Sequence, residues 1–221
     1  MISNQIISDL NSMFTYISKK LYPSEYNLLN AKIAVITSSY NFNELRKDVI
    51  LLEQLLISGE DHRFRFHVGF DILGIIRAIR NNLFYGRHEG ASTISQQFVR
   101  VLTNQYEVTI SRKIKEIILA LSLIDIIPKT HIPIAYLFVA YYGPNLIGLE
   151  NVAKKMSITD LRNLSLDSAA EIIARIKYPE TESNLNSRRL SLIKSRSMYL
   201  VRLYNKHKKQ RYFSPYSQSE F

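Results

Sequence analysis

Along most of the chain, apolar residues recur at intervals of three and four, and almost nowhere do they alternate with polar ones. A period near 3.6 buries one stripe of a helix, whereas a period of two buries one face of a strand. A chain patterned this way folds as packed helices, and we expect an all-α architecture. Ile6, Leu10, Met13, Phe14, Ile17 and Leu21 predict an N-terminal amphipathic helix that Pro23 stops. It can dock on the core or lie at a bilayer surface. Residues 33–37 are the only strand-like piece. Asn41, with Glu44 three residues on, predicts the start of a helix running through Leu45, Val49, Leu52 and Leu56 to a stop at Gly59.

A chain of 221 residues that is 46% apolar holds one domain with additions. We expect an N-terminal helix and connector over 1–40, a main domain over 41–180 and a basic C-terminal helix and tail over 181–221. With no cysteine, disulfides and thiolate metal sites are excluded. No apolar run reaches the roughly 18 residues of a membrane span, and the N-terminus lacks the layout of a signal peptide. The net charge is +10, yet nine Lys or Arg and no acid fall between Arg188 and Arg211. That segment suits a solvated helix face, an anionic membrane surface or a phosphate-bearing substrate. No nucleic-acid partner is expected, because no zinc-ligand spacing or nucleic-acid motif accompanies the charge.

Three stretches carry candidate chemistry. In SGEDHRFRFHVGFD (58–71), Glu60 is expected just past a helix end, with Phe64, Phe66 and Phe70 anchoring a turn before Asp71 caps a helix over 72–84. A carboxylate among aromatic rings is partly desolvated, which makes it a better base near neutrality. The alternative is a solvated loop in which Glu60 and Asp61 pair with Arg63 and Arg65. In YGRHEGASTISQQFVR (85–100), Thr93 and Gln96 have capping-box spacing, Ser92 is an alternative cap, and Ile94, Phe98, Val101 and Leu102 would face the core. Arg87 and Arg100 near that helix start suggest an anion site. In SRKIKEIILALSLIDIIPK (111–129), Arg112 and Lys113 share a helix face with Glu116 where the helix turns apolar on nearly every side. That trio is either an inert ion-pair cluster or a site holding phosphate oxygens beside a functional carboxylate.

In order and spacing these stretches resemble the glycosyltransferase domain of penicillin-binding proteins and of monofunctional peptidoglycan glycosyltransferases, family 51. The family's Glu-Asp-x-x-Phe-x-x-His-x-Gly-x-Asp is matched by Glu60, Asp61, Phe64, His67, Gly69 and Asp71. Its Gly-Ala-Ser-Thr-Ile-Thr-Gln-Gln is matched over 90–97 with only Ser95 differing, and its Arg-Lys-x-x-Glu by Arg112, Lys113 and Glu116. The resemblance implies a lysozyme-like all-α catalytic lobe beside a membrane-facing lobe, and polymerisation of a polyprenyl-pyrophosphate-linked disaccharide such as lipid II. It implies Glu60 as general base on the acceptor 4-hydroxyl, inversion at the donor anomeric carbon, and Glu116 assisting at the donor. It further implies Asp61, Phe64, His67, Ser92, Thr93, Gln96, Gln97, Arg100, Arg112 and Lys113 as substrate-binding residues. Mg2+ or another divalent cation is implied, with no organic cofactor.

Two departures stand out. The fourth motif, roughly Glu-x-Tyr-Leu-Asn with a following aromatic and glycine, keeps Tyr136, Leu137 and Gly143 but has Ile134 and Phe138 for the acid and amide. The fifth has Ser168 at its glutamate position and Glu171 three residues on. The resemblance implies the outer face of the cytoplasmic membrane. With no visible spanning segment, we expect peripheral attachment through the N-terminal helix, the loop around residues 83–85 and the basic C-terminus, and a cytoplasmic location stays open. A lysozyme-like glycan-cleaving enzyme and a weakened glycan- or lipid-pyrophosphate-binding protein are the alternatives.

Overall fold

The computed structural model describes residues 4–85, 90, 92–181, 187–210 and 212–213. Its helices are α1 (Asn4–Leu21), α2 (Pro23–Ser39), α3 (Phe42–Glu60), α4 (Ile72–Tyr85), α5 (Ile94–Thr103), α6 (Ile110–Ser122), α7 (Ile132–Val139), α8 (Leu149–Lys155), α9 (Leu166–Lys177) and α10 (Ser187–Lys209). The only sheet among the described residues is a short antiparallel hairpin between α7 and α8, β1 (Tyr141–Gly143) and β2 (Leu146–Ile147), turned at Asn145 with φ 59°. The expected all-α class is therefore the observed one.

The chain divides into two compact units, one from Met1–Ser39 and Glu60–Ile132, the other from Tyr40–Gly59 and Pro133–Phe221. In the first, α1 packs along α6, α6 on α5, and α2 on α5. Ile94 and Phe98 of α5 and Leu119 and Ala120 of α6 are buried, each large side chain contributing about 2 kcal/mol of burial. Lys32 of α2 donates to the Leu102 carbonyl at 2.6 Å, satisfying the last turn of α5. Lys115 of α6 meets Glu25 of α2 at 2.6 Å. The N-terminal helix thus docks on the core: Ser18 is buried and bonds the Ile118 carbonyl at 3.4 Å. The side chains of Ile6 and Leu10 lie outside the described part.

Residues 33–37 are not a strand. They continue α2, whose Tyr26, Leu29, Ile33 and Ile36 are buried on one helical stripe while Val35 faces out. Pro23 both ends α1 and occupies the first position of α2, where its missing N–H has no partner to lose.

In the second unit, α10 packs on α9 and buries Ile193, Leu200 and Tyr204, and the hairpin sits against α9. Leu190, expected on that face, is exposed. Gly59 does not stop α3; it lies one residue inside the helix. A Cβ there would fall 2.3 Å from Leu200, and Arg196 donates to the Gly59 carbonyl at 2.9 Å, so the glycine serves close helix packing. Among the described residues no single helix is long and apolar enough to cross a membrane.

Candidate active site

Glu60 is the last residue of α3 rather than part of the loop beyond it. Its Oε2 accepts from Gln97 Nε2 on α5 at 3.2 Å. The aromatic surround expected for it is only partly present. Phe64 is buried, but Phe66 is 65% exposed, with the Arg63 guanidinium 5.8 Å from its ring. Arg63 binds Asp71, the residue before α4, at 3.2 Å. The solvated-loop alternative fails for Asp61, which is buried and bound on both oxygens: Oδ1 by His67 Nε2 at 2.8 Å and Oδ2 by the Ile94 N–H at 3.1 Å. The Gly69 N–H donates to His67 Nδ1 at 3.2 Å. With Nδ1 accepting, the proton of a neutral ring sits on Nε2 and is donated to Asp61.

Gly69 has φ 114°, and a Cβ on it would stand 2.6 Å from the Ala120 carbonyl oxygen of α6, so the turn needs glycine twice over. The Gly69 carbonyl accepts from the Thr93 hydroxyl at 2.6 Å, while the Thr93 oxygen accepts the Gln96 N–H at 3.3 Å as the cap of α5. Thr93 is thus the cap predicted. Gln96 does not complete a capping box, because its side chain is turned to α6. On α5 the buried apolar positions are Ile94, Phe98, Val99 and Leu102; Val101 is half-buried, displaced by Val99 from the stripe.

The second centre surrounds Glu116, 3% exposed. Arg100 bonds both its oxygens, at 2.8 and 3.1 Å, Arg112 bonds Oε2 at 2.5 Å, and Lys113 bonds Oε1 at 2.6 Å. Lys113 also donates to Gln96 Oε1 at 2.6 Å and to the Ser92 hydroxyl at 2.8 Å. Burial on its own would raise Glu116, but bonds from Arg100 and Lys113 hold it below its ordinary carboxylate value. Burial pushes the Lys113 ammonium down, against the pull of Glu116. Gln96 is fully buried, and its Nε2 has no hydrogen-bond partner among the described residues. An unmet buried donor costs about 1–3 kcal/mol, a cost that an incoming acceptor would relieve.

One helix therefore serves both centres. Sequence spacing identifies Arg112, Lys113 and Glu116 as neighbours; it does not identify Arg100 as their partner, nor the burial of Lys129 elsewhere in the same unit. The Lys129 ammonium is buried 5.1 Å over the Phe64 ring; its only sequence signal is a lysine directly after Pro128 at the end of an apolar run. Arg87 lies outside the described residues. In the second unit, Ile134 is buried, and Phe138 packs against Tyr40 with ring centroids 4.6 Å apart and planes tilted by 44°, where the family motif has its amide. Ser168 accepts from Ser165 in the first turn of α9, and Glu171 faces Arg175 at 3.6 Å.

Three cations already occupy both oxygens of Glu116, and among the described residues no group of three or more His, Asp or Glu is placed to hold a metal. The described residues around Glu116 do not by themselves fit a divalent cation.

An all-α domain with an acid at a helix end and a second acid ringed by cations, both tied to one helix, is consistent with the lysozyme-like fold class. The sequence model of the family described as Transglycosylase matches residues 34–203, and the chain belongs to that family. It is 36% identical over 157 residues to Penicillin-binding protein 1A of Rickettsia prowazekii (strain Madrid E), covering 68% of this chain and 19% of that protein. It is 34% identical over 149 residues to the Biosynthetic peptidoglycan transglycosylase of Thiobacillus denitrificans, covering 65% of this chain and 64% of that one. Against Penicillin-binding protein 1A of Escherichia coli (strain K12) the identity is 31% over 191 residues, covering 79% and 22%. The chain thus spans about a fifth of the penicillin-binding proteins it matches.

Proposed function

We propose that the chain is a peptidoglycan glycosyltransferase that extends a glycan strand from a polyprenyl-pyrophosphate-linked disaccharide, a lipid II-like donor, while bound peripherally to a membrane. Family membership supports the reaction class, and one observation carries the assignment of ends: α5 holds Glu60 through Gln97 and meets the Glu116 cluster through Gln96 and Arg100. Glu60, half-exposed, takes the proton from the acceptor 4-hydroxyl. The oxygen attacks the donor anomeric carbon, the bond from that carbon to pyrophosphate breaks with inversion, and its electron pair leaves on the pyrophosphate. Arg112, Lys113 and Arg100 meet that charge. Ser92 and the unmet Gln96 amide offer donors to the same oxygens. Asp61, His67 and Thr93 brace the site, since their side-chain polar atoms are already engaged within the fold, and the buried Phe64 ring packs edge-on to His67 at 6.1 Å.

Glycan cleavage on a similar scaffold needs a carboxylic acid that protonates a glycosidic oxygen. Glu116, held below its ordinary value by Arg100 and Lys113, is poorly suited to that. The test is incubation with a polyprenyl-pyrophosphate disaccharide. Polymer with release of polyprenyl pyrophosphate is expected; shortening of a preformed glycan, or retention of donor without turnover, would overturn the assignment in favour of a hydrolase or a binding protein.

A further inference from the structure

The cations around Glu116 come from two helices, Arg100 from the last turn of α5 and Arg112 and Lys113 from the first turn of α6. The Arg100–Glu116 pair therefore spans the join between α5 and α6, residues 104–109, and its geometry is only as fixed as that join. Burial does little to fix it. Residues 106–111 are all exposed, and the Glu107 carbonyl accepts from Arg112, which ties that stretch to α6.

The join is bridged from α2. Glu25 Oε1 accepts from Gln105 Nε2, just past α5, at 3.3 Å, and from Lys115 Nζ, beside Glu116 on α6, at 2.6 Å. One carboxylate oxygen thus holds both sides of the gap that Arg100 and Glu116 span. Seven residues further along α2, on the same face, Lys32 donates to the Leu102 carbonyl at 2.6 Å, and Leu29 and Ile33 are buried beside that stripe. The Lys115 ammonium also lies 5.7 Å from the centre of the Tyr22 ring. Glu25 and Lys32 both precede residue 34, where the family match begins. We propose that Glu25 is a positioning residue for the pyrophosphate end of the site: by clamping Gln105 and Lys115 it sets α5 against α6 so that Arg100 grips Glu116. The inference rests on the reading of that cluster as the place where the leaving pyrophosphate is met.

The sign of the effect separates a clamp from plain electrostatics. Removing an acid next to a cluster of cations tightens anion binding if charge alone matters, whereas removing a clamp weakens it. The experiment compares wild type, Glu25→Ala and the exchanged pair of Glu25→Lys with Lys115→Glu. It scores the titration of the Glu116 carboxyl by carbon NMR, calorimetric binding of inorganic pyrophosphate, polymerisation rate and thermal midpoint. Arg100 and Lys113 hold Glu116 below its ordinary value, so in Glu25→Ala its titration midpoint should rise as Arg100 loosens. Pyrophosphate affinity should fall about tenfold, the scale of a lost charge-assisted contact, and the exchanged pair should recover both. An unmoved Glu116 midpoint, pyrophosphate bound as tightly as by wild type or more so, or an exchanged pair that recovers neither would each overturn the proposal. Should Glu25→Ala fail to fold, Gln105→Ala leaves the ion pair in place and must still raise the Glu116 midpoint; an unmoved midpoint there overturns the clamp equally. If wild type makes no polymer, the reaction proposed above fails by itself, and Glu116 titration with pyrophosphate binding still decides for or against the clamp.

Discussion

Gln96 and Gln97, consecutive on α5, turn their amides to two different acids: Gln96 Oε1 accepts from Lys113 beside Glu116 at 2.6 Å, and Gln97 Nε2 donates to Glu60 at 3.2 Å. Neighbours on a helix point about 100° apart, so one rigid backbone sets the angle between the two centres. The N-terminus of α5 is held by Thr93 and Asp61 and its C-terminus by Lys32. A shift in α5 would therefore move both centres together.

Replacing Glu60 with Gln keeps its shape and its contact with Gln97 while removing proton acceptance. Polymer formation should fall by roughly 10² to 10⁴, the range for a lost general base, with the thermal midpoint unchanged. Transfer at close to the wild-type rate would remove Glu60 from this role.

The helices were legible because their apolar stripes repeat over many turns, and the Arg112, Lys113 and Glu116 face because it lies within one turn. A five-residue window misleads at 33–37, where β-branched side chains mimic a strand although Tyr26, Leu29, Ile33 and Ile36 keep helical spacing. Contacts that complete the site are distant in sequence: Arg100 reaches Glu116 across 16 positions and Ile94 reaches Asp61 across 33. Lys129 escapes notice because a lysine in a sequence carries no mark of burial. Gly59 reads as a helix stop because nothing local announces Leu200 against it.

Lys113→Ala removes a cation that Glu116, Gln96 and Ser92 all share. Binding of a pyrophosphate-bearing donor should weaken by about 10-fold or more, the scale of a charge-assisted contact, with a neutral glycan acceptor hardly affected. Calorimetry with each ligand separates the two. Equal losses would mean that the cluster acts as an internal ion-pair network.

Gly69→Ala is expected to cost about 2 kcal/mol or more, because φ 114° is strained for an L side chain and the Ala120 carbonyl blocks the new methyl. Urea denaturation would measure it. Gly90→Ala, with no atom of the described residues within 4 Å of a Cβ, is the control and should stay near neutral. Comparable losses in both would detach the effect from the turn.

Lys129 should leave a signature in stability against pH. Its folded pKa, about 8, lies below the ordinary 10.5, so between those values the unfolded chain binds more protons and stability rises with pH. Below pH 8 both states are protonated and the cost is complete, roughly 3 kcal/mol at 1.36 kcal/mol per pKa unit. Lys129→Met should therefore be the more stable protein at pH 7, with the advantage shrinking toward pH 10. A gap that is constant across pH 7 to 10 would contradict the burial of a charged ammonium.

Attachment to a membrane would rest on two surfaces, one apolar and one basic. Helix α4 exposes Ile72, Leu73 and Ile76, and then Leu83 and Phe84 at 74% and 77%. Arg188, Lys194, Arg202 and Lys206 are exposed on α10. Because α10 buries Ile193, Leu200 and Tyr204, deleting it would damage the fold, and charge substitution is the sounder probe. Each Lys or Arg close to an anionic surface contributes about 1 kcal/mol, screened over a Debye length, whereas apolar insertion is insensitive to salt. Sedimentation with anionic vesicles should weaken as salt rises. Replacing the four α10 cations with Gln should remove the salt-dependent part, and Leu83→Asp with Phe84→Asp should remove the remainder, including any binding to neutral vesicles. Binding untouched by both sets would place the contact elsewhere on the molecule, and absence of binding to either vesicle would sink peripheral attachment for the chain as it stands.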